Sequence, residues 1–161
     1  MINKILLLFD FAIVALKPRA DVITPTKRYY SSEVLDKAVE TYKATVKKGR
    51  AVGELHPLHV GDNSRSTFEI SLINVSHMIV RMWKWRGQYI ALIRLVPKIL
   101  GGAALKEMLT KYPDKVSFTL RGMASSHDNE TLDGKYEVIH DDLRIIAWDA
   151  SPYQPLGGED E

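Results

Sequence analysis

His56 stands in Gly53-Glu54-Leu55-His56-Pro57, between a glycine that frees the backbone and a proline that fixes the chain just after the ring. An imidazole held that firmly suits a general base; a turn histidine making one hydrogen bond is the plainer alternative. A second chemical candidate is the 116–122 segment, Val-Ser-Phe-Thr-Leu-Arg-Gly. Its alternation puts Val116, Phe118 and Leu120 on one face of a strand and Ser117, Thr119 and Arg121 on the other, ~7 Å apart in succession. A hydroxyl beside a guanidinium, followed by Gly122, offers a nucleophile with oxyanion support, or simply a solvated polar face. Asp149 ends an apolar run and could orient a histidine or cap the turn at Ser151-Pro152. His56 and His59, completed by Glu54 or His77, form a weaker metal candidate.

Missing residues narrow the chemistry further. The chain has no cysteine, which removes disulfides, thiol nucleophiles and cysteine zinc sites. It has no phosphate-binding glycine loop with lysine, no HExxH and no GxSxG elbow.

The elements that must position these residues can be read in order. The 5–16 run, ILLLFDFAIVAL, carries Asp10 in its middle; a strand buried on both faces is preferred to a signal peptide, because a charge there is costly for insertion. Ser31 or Ser32 caps a helix to about Lys48, with Val34, Leu35, Ala38, Val39, Tyr42 and Val46 on one side and Gly49 at its end. A polar loop follows His56 through Ser66. Residues 81–85 and 89–96 around Arg86-Gly87-Gln88 predict a hairpin. Residues 97–112 predict a second helix, stopped by Pro113. After the 116–122 strand, 125–134 reads as a polar loop, 135–140 and 143–149 as strands, and the stretch from Ser151 as a Pro/Gly/acid tail. Strands with two or three helices and no regular βαβ repeat make an α+β fold.

At 161 residues the chain is one domain's worth, assigned to 1–155 with an acidic tail over 156–161. No apolar run reaches the ~18–20 residues of a membrane span, so no membrane partner is expected. Residues 1–50 and 51–124 each carry 10 basic against 5 acidic residues, whereas 125–161 carry 2 against 10. Such asymmetry could hold an acidic partner segment, but no Arg-rich helix with interleaved aromatics supports nucleic-acid binding.

Taken as an ordered set, the motifs resemble the prohead proteases of large tailed bacteriophages, the assemblin-like group related to herpesvirus maturation proteases. The resemblance covers about residues 20–155. Thr26-Lys27-Arg28-Tyr29-Tyr30 and the helix after it resemble the family's Asn-Lys-Arg-x-Tyr segment and helix. Gly53-Glu54-Leu55-His56-Pro57 resembles Gly-Glu-Leu-Asn-His-Pro, whose histidine is catalytic, with the Asn missing here. Val75-Ser76-His77-Met78-Ile79 resembles Val-Ser-His-x-Ile. Leu120-Arg121-Gly122-Met123-Ala124-Ser125 resembles part of Ser-Ser-Arg-Gly-x-Gly-Ser, and Trp148-Asp149-Ala150 the closing strand.

The resemblance implies a mostly antiparallel, barrel-like sheet flanked by two or three helices. It implies an endopeptidase of head maturation that cleaves scaffold and capsid proteins inside the prohead, within the host bacterial cytoplasm. Related enzymes prefer an apolar residue, then any residue, then Glu before the cut. Anchoring on Arg121-Gly122 puts the family's nucleophilic serine at Thr119. Threonine keeps the hydroxyl but adds a methyl that stiffens χ1. His56 is then the base, Thr119 the nucleophile with Ser117 as rival, Asp149 the orienting residue with His77 as rival, and Arg121 with the Gly122 region the oxyanion support. No cofactor or metal is implied, and a homo-oligomer is left open. The alternative is a catalytically inactive relative serving as a structural core or scaffold component.

Overall fold

The computed structural model describes residues 7–55 and 66–152. The apolar run near the start is broken where its charge lies. Strand β1 (Leu7–Leu8) turns back through Phe9 and Asp10, both at positive φ, into β2 (Phe11–Lys17). Asp10 leaves the run to pair with Lys106 at 2.6 Å. The single strand buried on both faces is therefore corrected: β2 alternates, with Ala12, Val14 and Leu16 buried and their neighbours half-buried. A short β3 (Arg28–Tyr29) precedes helix α1 (Ser32–Lys47). The Ser31 hydroxyl accepts the Val34 N–H at 3.2 Å, satisfying one of the helix's unpaired donors. Gly49 ends the helix at φ +68°.

Strand β4 (Val52–Glu54) pairs with β5 (Val75–Trp85), which pairs with β6 (Gln88–Leu95). The β5–β6 turn is Arg86-Gly87, both at positive φ (49° and 75°), the two-residue geometry whose twist suits a hairpin. Helix α2 (Leu100–Lys111) stops at Pro113, and β7 (Val116–Met123) follows. The 125–134 loop expectation fails. Those residues form β8 (Ser126–Thr131), hydrogen-bonded to β9 (Gly134–Ile139). Every residue of β8 is exposed, so it has no apolar alternation from which a strand could be read. Finally β10 (Arg144–Pro152) keeps pairing through Ser151 and Pro152, which belong to the sheet and not to a tail.

The main sheet runs β10-β7-β2-β6-β5-β4, with β1 on β2. Its neighbours are antiparallel except β2–β7, which is parallel. A bridge between Leu55 and Ala150 brings β4 back to β10, so the sheet is a nearly closed, barrel-like α+β arrangement with two α-helices. A second sheet, β3-β9-β8, stands beside it. Leu35, Ala38, Val39 and Tyr42 of α1 are buried against the barrel, with Tyr42 edge-on to Trp148 at 5.3 Å. Trp148, Phe118, Leu16, Ile79 and Ile93 fill the interior. No helix among the described residues is long and apolar enough to cross a membrane.

Replacing Ser31 by Ala should lower stability by about 0.5–2 kcal/mol through loss of the α1 cap, measured as a shift of the urea midpoint with unchanged slope.

Candidate functional site

Closure of β4 onto β10 brings three ionisable residues from apolar strands to one place. Arg121 of β7, Glu54 of β4 and Asp149 of β10 are 7%, 0% and 6% exposed. Directly opposed residues of an antiparallel pair point to the same side, and Thr119 is opposite Asp149, so Thr119, Arg121 and Asp149 share one face. Arg121 Nε lies 2.8 Å from Asp149 Oδ2, and its Nη2 donates to Asp149 Oδ1 at 3.2 Å and to Glu54 Oε2 at 3.0 Å. Nη1 donates to the carbonyls of Glu69 at 2.7 Å and Thr67 at 3.3 Å. The Glu54 N–H donates to Asp149 Oδ1 at 3.0 Å, and Asn74 Nδ2 donates to Glu54 Oε1 at 3.3 Å.

One guanidinium thus faces two carboxylates and two main-chain carbonyls. Burial pushes the Asp149 carboxyl above its usual pKa, and the Glu54 N–H and Arg121 pull against that shift. The arrangement is also a clamp. Glu54 lies two residues before His56, while Thr67 and Glu69 lie beyond the other end of the 56–65 segment. Arg121 therefore holds the chain on both sides of the stretch that carries His56 and His59, which themselves lie outside the described residues.

His77 is wholly buried. Its Nε2 is 2.8 Å from the Trp148 carbonyl, which can only accept, so Nε2 carries the proton. Nδ1 then accepts from the Ser76 hydroxyl at 2.7 Å. Both nitrogens are committed inside the protein, leaving neither for a metal nor for the imidazole of residue 56. The ring crosses Gly53, its partner on β4, to reach β10. A Cβ on Gly53 would run into both the Trp148 carbonyl and the His77 ring. Gly53 therefore serves close packing, beyond the loose backbone its sequence context implies. Burial lowers the His77 pKa to about 4, against the opposing effect of the Trp148 carbonyl.

The three residues expected on one polar face of β7 do share it, with unequal surroundings. Ser117, opposite Ser151, is 9% exposed and Arg121 is buried, whereas Thr119, opposite Asp149, is exposed. Thr119 is also paired with Lys17 across the parallel β2–β7 ladder. Gly122 is half-buried against the Arg144 carbonyl. Glu54, considered from the sequence only as a metal ligand, is the residue missed. The available signal was an acid and an arginine, each alone in an apolar strand, which must pair if both are buried. Among the described residues no cluster of three or more His, Asp or Glu is placed to hold a metal ion. A pocket of about 160 Å³ lies where β7 meets the small sheet, with Tyr30, Leu120, Ile139 and Leu143 in its wall and Arg28 and Glu137 beside them.

No family model and no curated protein matches the sequence. The fold is nevertheless similar to a solved structure, the bacteriophage T4 capsid assembly protease gp21. The TM-score is 0.72 over 90% of this chain and 82% of that one, at 19% sequence identity. The expected protease-like architecture is therefore present, and at this identity the likeness speaks for the fold.

Replacing Arg121 by Met would remove the charge that it sets against buried Asp149 and Glu54, and should cost about 3–5 kcal/mol in denaturant unfolding. Arg121→Lys keeps the charge without the fork and should speed amide exchange at residues 67–69. For His77 the folded pKa lies below the unfolded one, so its contribution is complete above about pH 6.5 and is lost as pH falls toward 4. Unfolding free energy should fall by up to about 1.4 kcal/mol per pH unit in that window. Asp149, raised rather than lowered, works in the opposite direction near the acid end.

Proposed function

We propose that this protein is an endopeptidase of phage head maturation, with phage scaffold and capsid proteins as substrates inside the prohead. The observation that carries the reading is the convergence, in a fold similar to a capsid assembly protease, of Thr119 and Asp149 on adjacent strands with the Arg121 clamp on the His56 segment. In this reading His56 removes the proton of the attacking hydroxyl and returns it to the leaving amine. Thr119 is the nucleophile: it is exposed, where Ser117 is nearly buried. Asp149 supplies the carboxylate nearest to it along the strand pair. Arg121 was expected to bind the oxyanion, but its nitrogens already face Asp149, Glu54 and the 67 and 69 carbonyls. The geometry supports a positioning role for Arg121, leaving oxyanion stabilisation to main-chain N–H groups. No metal or organic cofactor enters the mechanism.

The second reading, an inactive structural relative, draws on one observation: the hydroxyl opposite Asp149 belongs to a threonine, whose methyl crowds an attack path. The two part company on activity. A scaffold peptide containing apolar-x-Glu should be cleaved, and His56→Ala or Thr119→Ala should each reduce the rate by about 10⁴-fold or more. Ser117→Ala should leave the rate within a few-fold, and Thr119→Ser should retain it or raise it. An unaffected Thr119→Ala enzyme would move the nucleophile elsewhere; absence of cleavage by the wild type and Thr119→Ser alike would favour the structural role.

A further inference from the structure

Away from the clamp, a chain of side chains runs along the end of the small sheet. Asp142 Oδ2 accepts the Ser125 hydroxyl at 2.7 Å, and Ser125 Oγ is 3.0 Å from His140 Nδ1. His140 Nε2 is 2.6 Å from His127 Nδ1, with ring centroids 4.9 Å apart. The donor inventory orders the chain. With the Ser125 proton on Asp142, Ser125 Oγ accepts from His140 Nδ1–H, and the lone pair of a neutral His140 then sits on Nε2, facing His127. The Ser125 N–H also donates to both Asp142 oxygens, at 3.0 and 3.2 Å, which fixes that carboxylate. An imidazole whose outer N–H is tied to an oxygen held by a carboxylate is oriented as a metal ligand commonly is.

We propose that His127 and His140 form a binding site for a borderline divalent transition-metal ion, with Zn²⁺ as its representative. His140 Nε2 and His127 Nδ1 are the protein ligands, and water or donors from a second molecule complete the shell. On binding, the His127 proton moves from Nδ1 to the outer Nε2, so two neutral imidazoles present lone pairs and no redox change is involved. Tetrahedral zinc with Zn–N near 2.0–2.1 Å needs the two nitrogens roughly 3.3 Å apart. The two nitrogens must part by about 0.7 Å, and His127 is exposed while His140 is half-buried, so the His127 side chain can supply the movement. The surrounding charge favours a cation: residues 125–142 carry six acidic residues against one lysine. Of the groups nearby, Asp142 is held by Ser125 and Asp141 is paired with Lys37 at 3.2 Å, so neither replaces an imidazole. His77 takes no part in the site, because both its ring nitrogens are already engaged.

The test is a Zn²⁺ titration of the full chain, followed by the imidazole C–H resonances in NMR and by calorimetry. It needs no peptidase activity, so its outcome is independent of the proposed function. The expected result is saturable binding that shifts the His127 and His140 resonances together. His127→Gln and His140→Gln should each abolish it, while Ser125→Ala should weaken it by about tenfold or more. Thermal melts should show all three surface variants folded. The proposal is overturned if Zn²⁺ leaves both rings unshifted, or if binding survives either histidine substitution at wild-type affinity.

Discussion

The fold around the candidate site depends on one buried cation. Arg121 is nearly inaccessible and is shared between Asp149, Glu54 and the carbonyls of residues 67 and 69. Each contact joins β7 to a different part of the chain: β10, β4 and the return from the 56–65 segment. A hydrophobic contact is non-directional and tolerates sliding, whereas a planar guanidinium with five donors accepts few arrangements. The interaction therefore does more to fix register where β4 closes onto β10 than to add net stability. Taking the charges out of water offsets most of what their attraction returns.

His77 repeats this logic without charge. Its ring spans β4 at Gly53 and joins β5 to β10, two strands that are not neighbours in the sheet. Ser76 completes it, so a neutral imidazole works as a rigid two-ended spacer. Phe118 of β7 meets the ring nearly at a right angle, with centroids 5.1 Å apart. The strand carrying Thr119 is thus held from the interior by His77 and Trp148 and from its polar face by Arg121. Such preorganisation suits a site whose reacting groups come from distant parts of the chain.

Periodicity revealed most of the frame. Helix α1, its serine cap, the Arg86-Gly87 hairpin and the stop of α2 at Pro113 each follow from local chemistry that tertiary structure did not override. Strand β8 was invisible because a fully exposed edge strand has nothing to bury, so its backbone ladder leaves no pattern in side-chain type. The break at Asp10 was hidden for the reverse reason. The apolar residues on both sides read as one run, and the lysine that draws the charge out lies 96 residues away. At the site, the shared face of Ser117, Thr119 and Arg121 was legible from alternation. The fate of Arg121 was not, because its partners are distant in sequence and two of them are main-chain carbonyls, which no residue type announces.

The ionic clamp also bears on the choice between a working peptidase and a passive relative. A body that only had to fold and bind could fill the β4–β10–β7 junction with apolar side chains at equal or better stability, since replacing a buried ion group by packed hydrophobes is often neutral or stabilising. What an apolar junction would not supply is a directional hold on the chain at residues 54, 67 and 69. Glu54 fixes the chain before His56, the residue 67 and 69 carbonyls fix it after, and one guanidinium joins both to the strand that bears Thr119. The proposed mechanism, with an imidazole acting on the Thr119 hydroxyl, calls for such coupling; merely closing a barrel does not. The cost of burying Glu54 and Asp149 around Arg121 is better understood as the cost of geometry, a fixed relation of residues 54, 67 and 69 to β7.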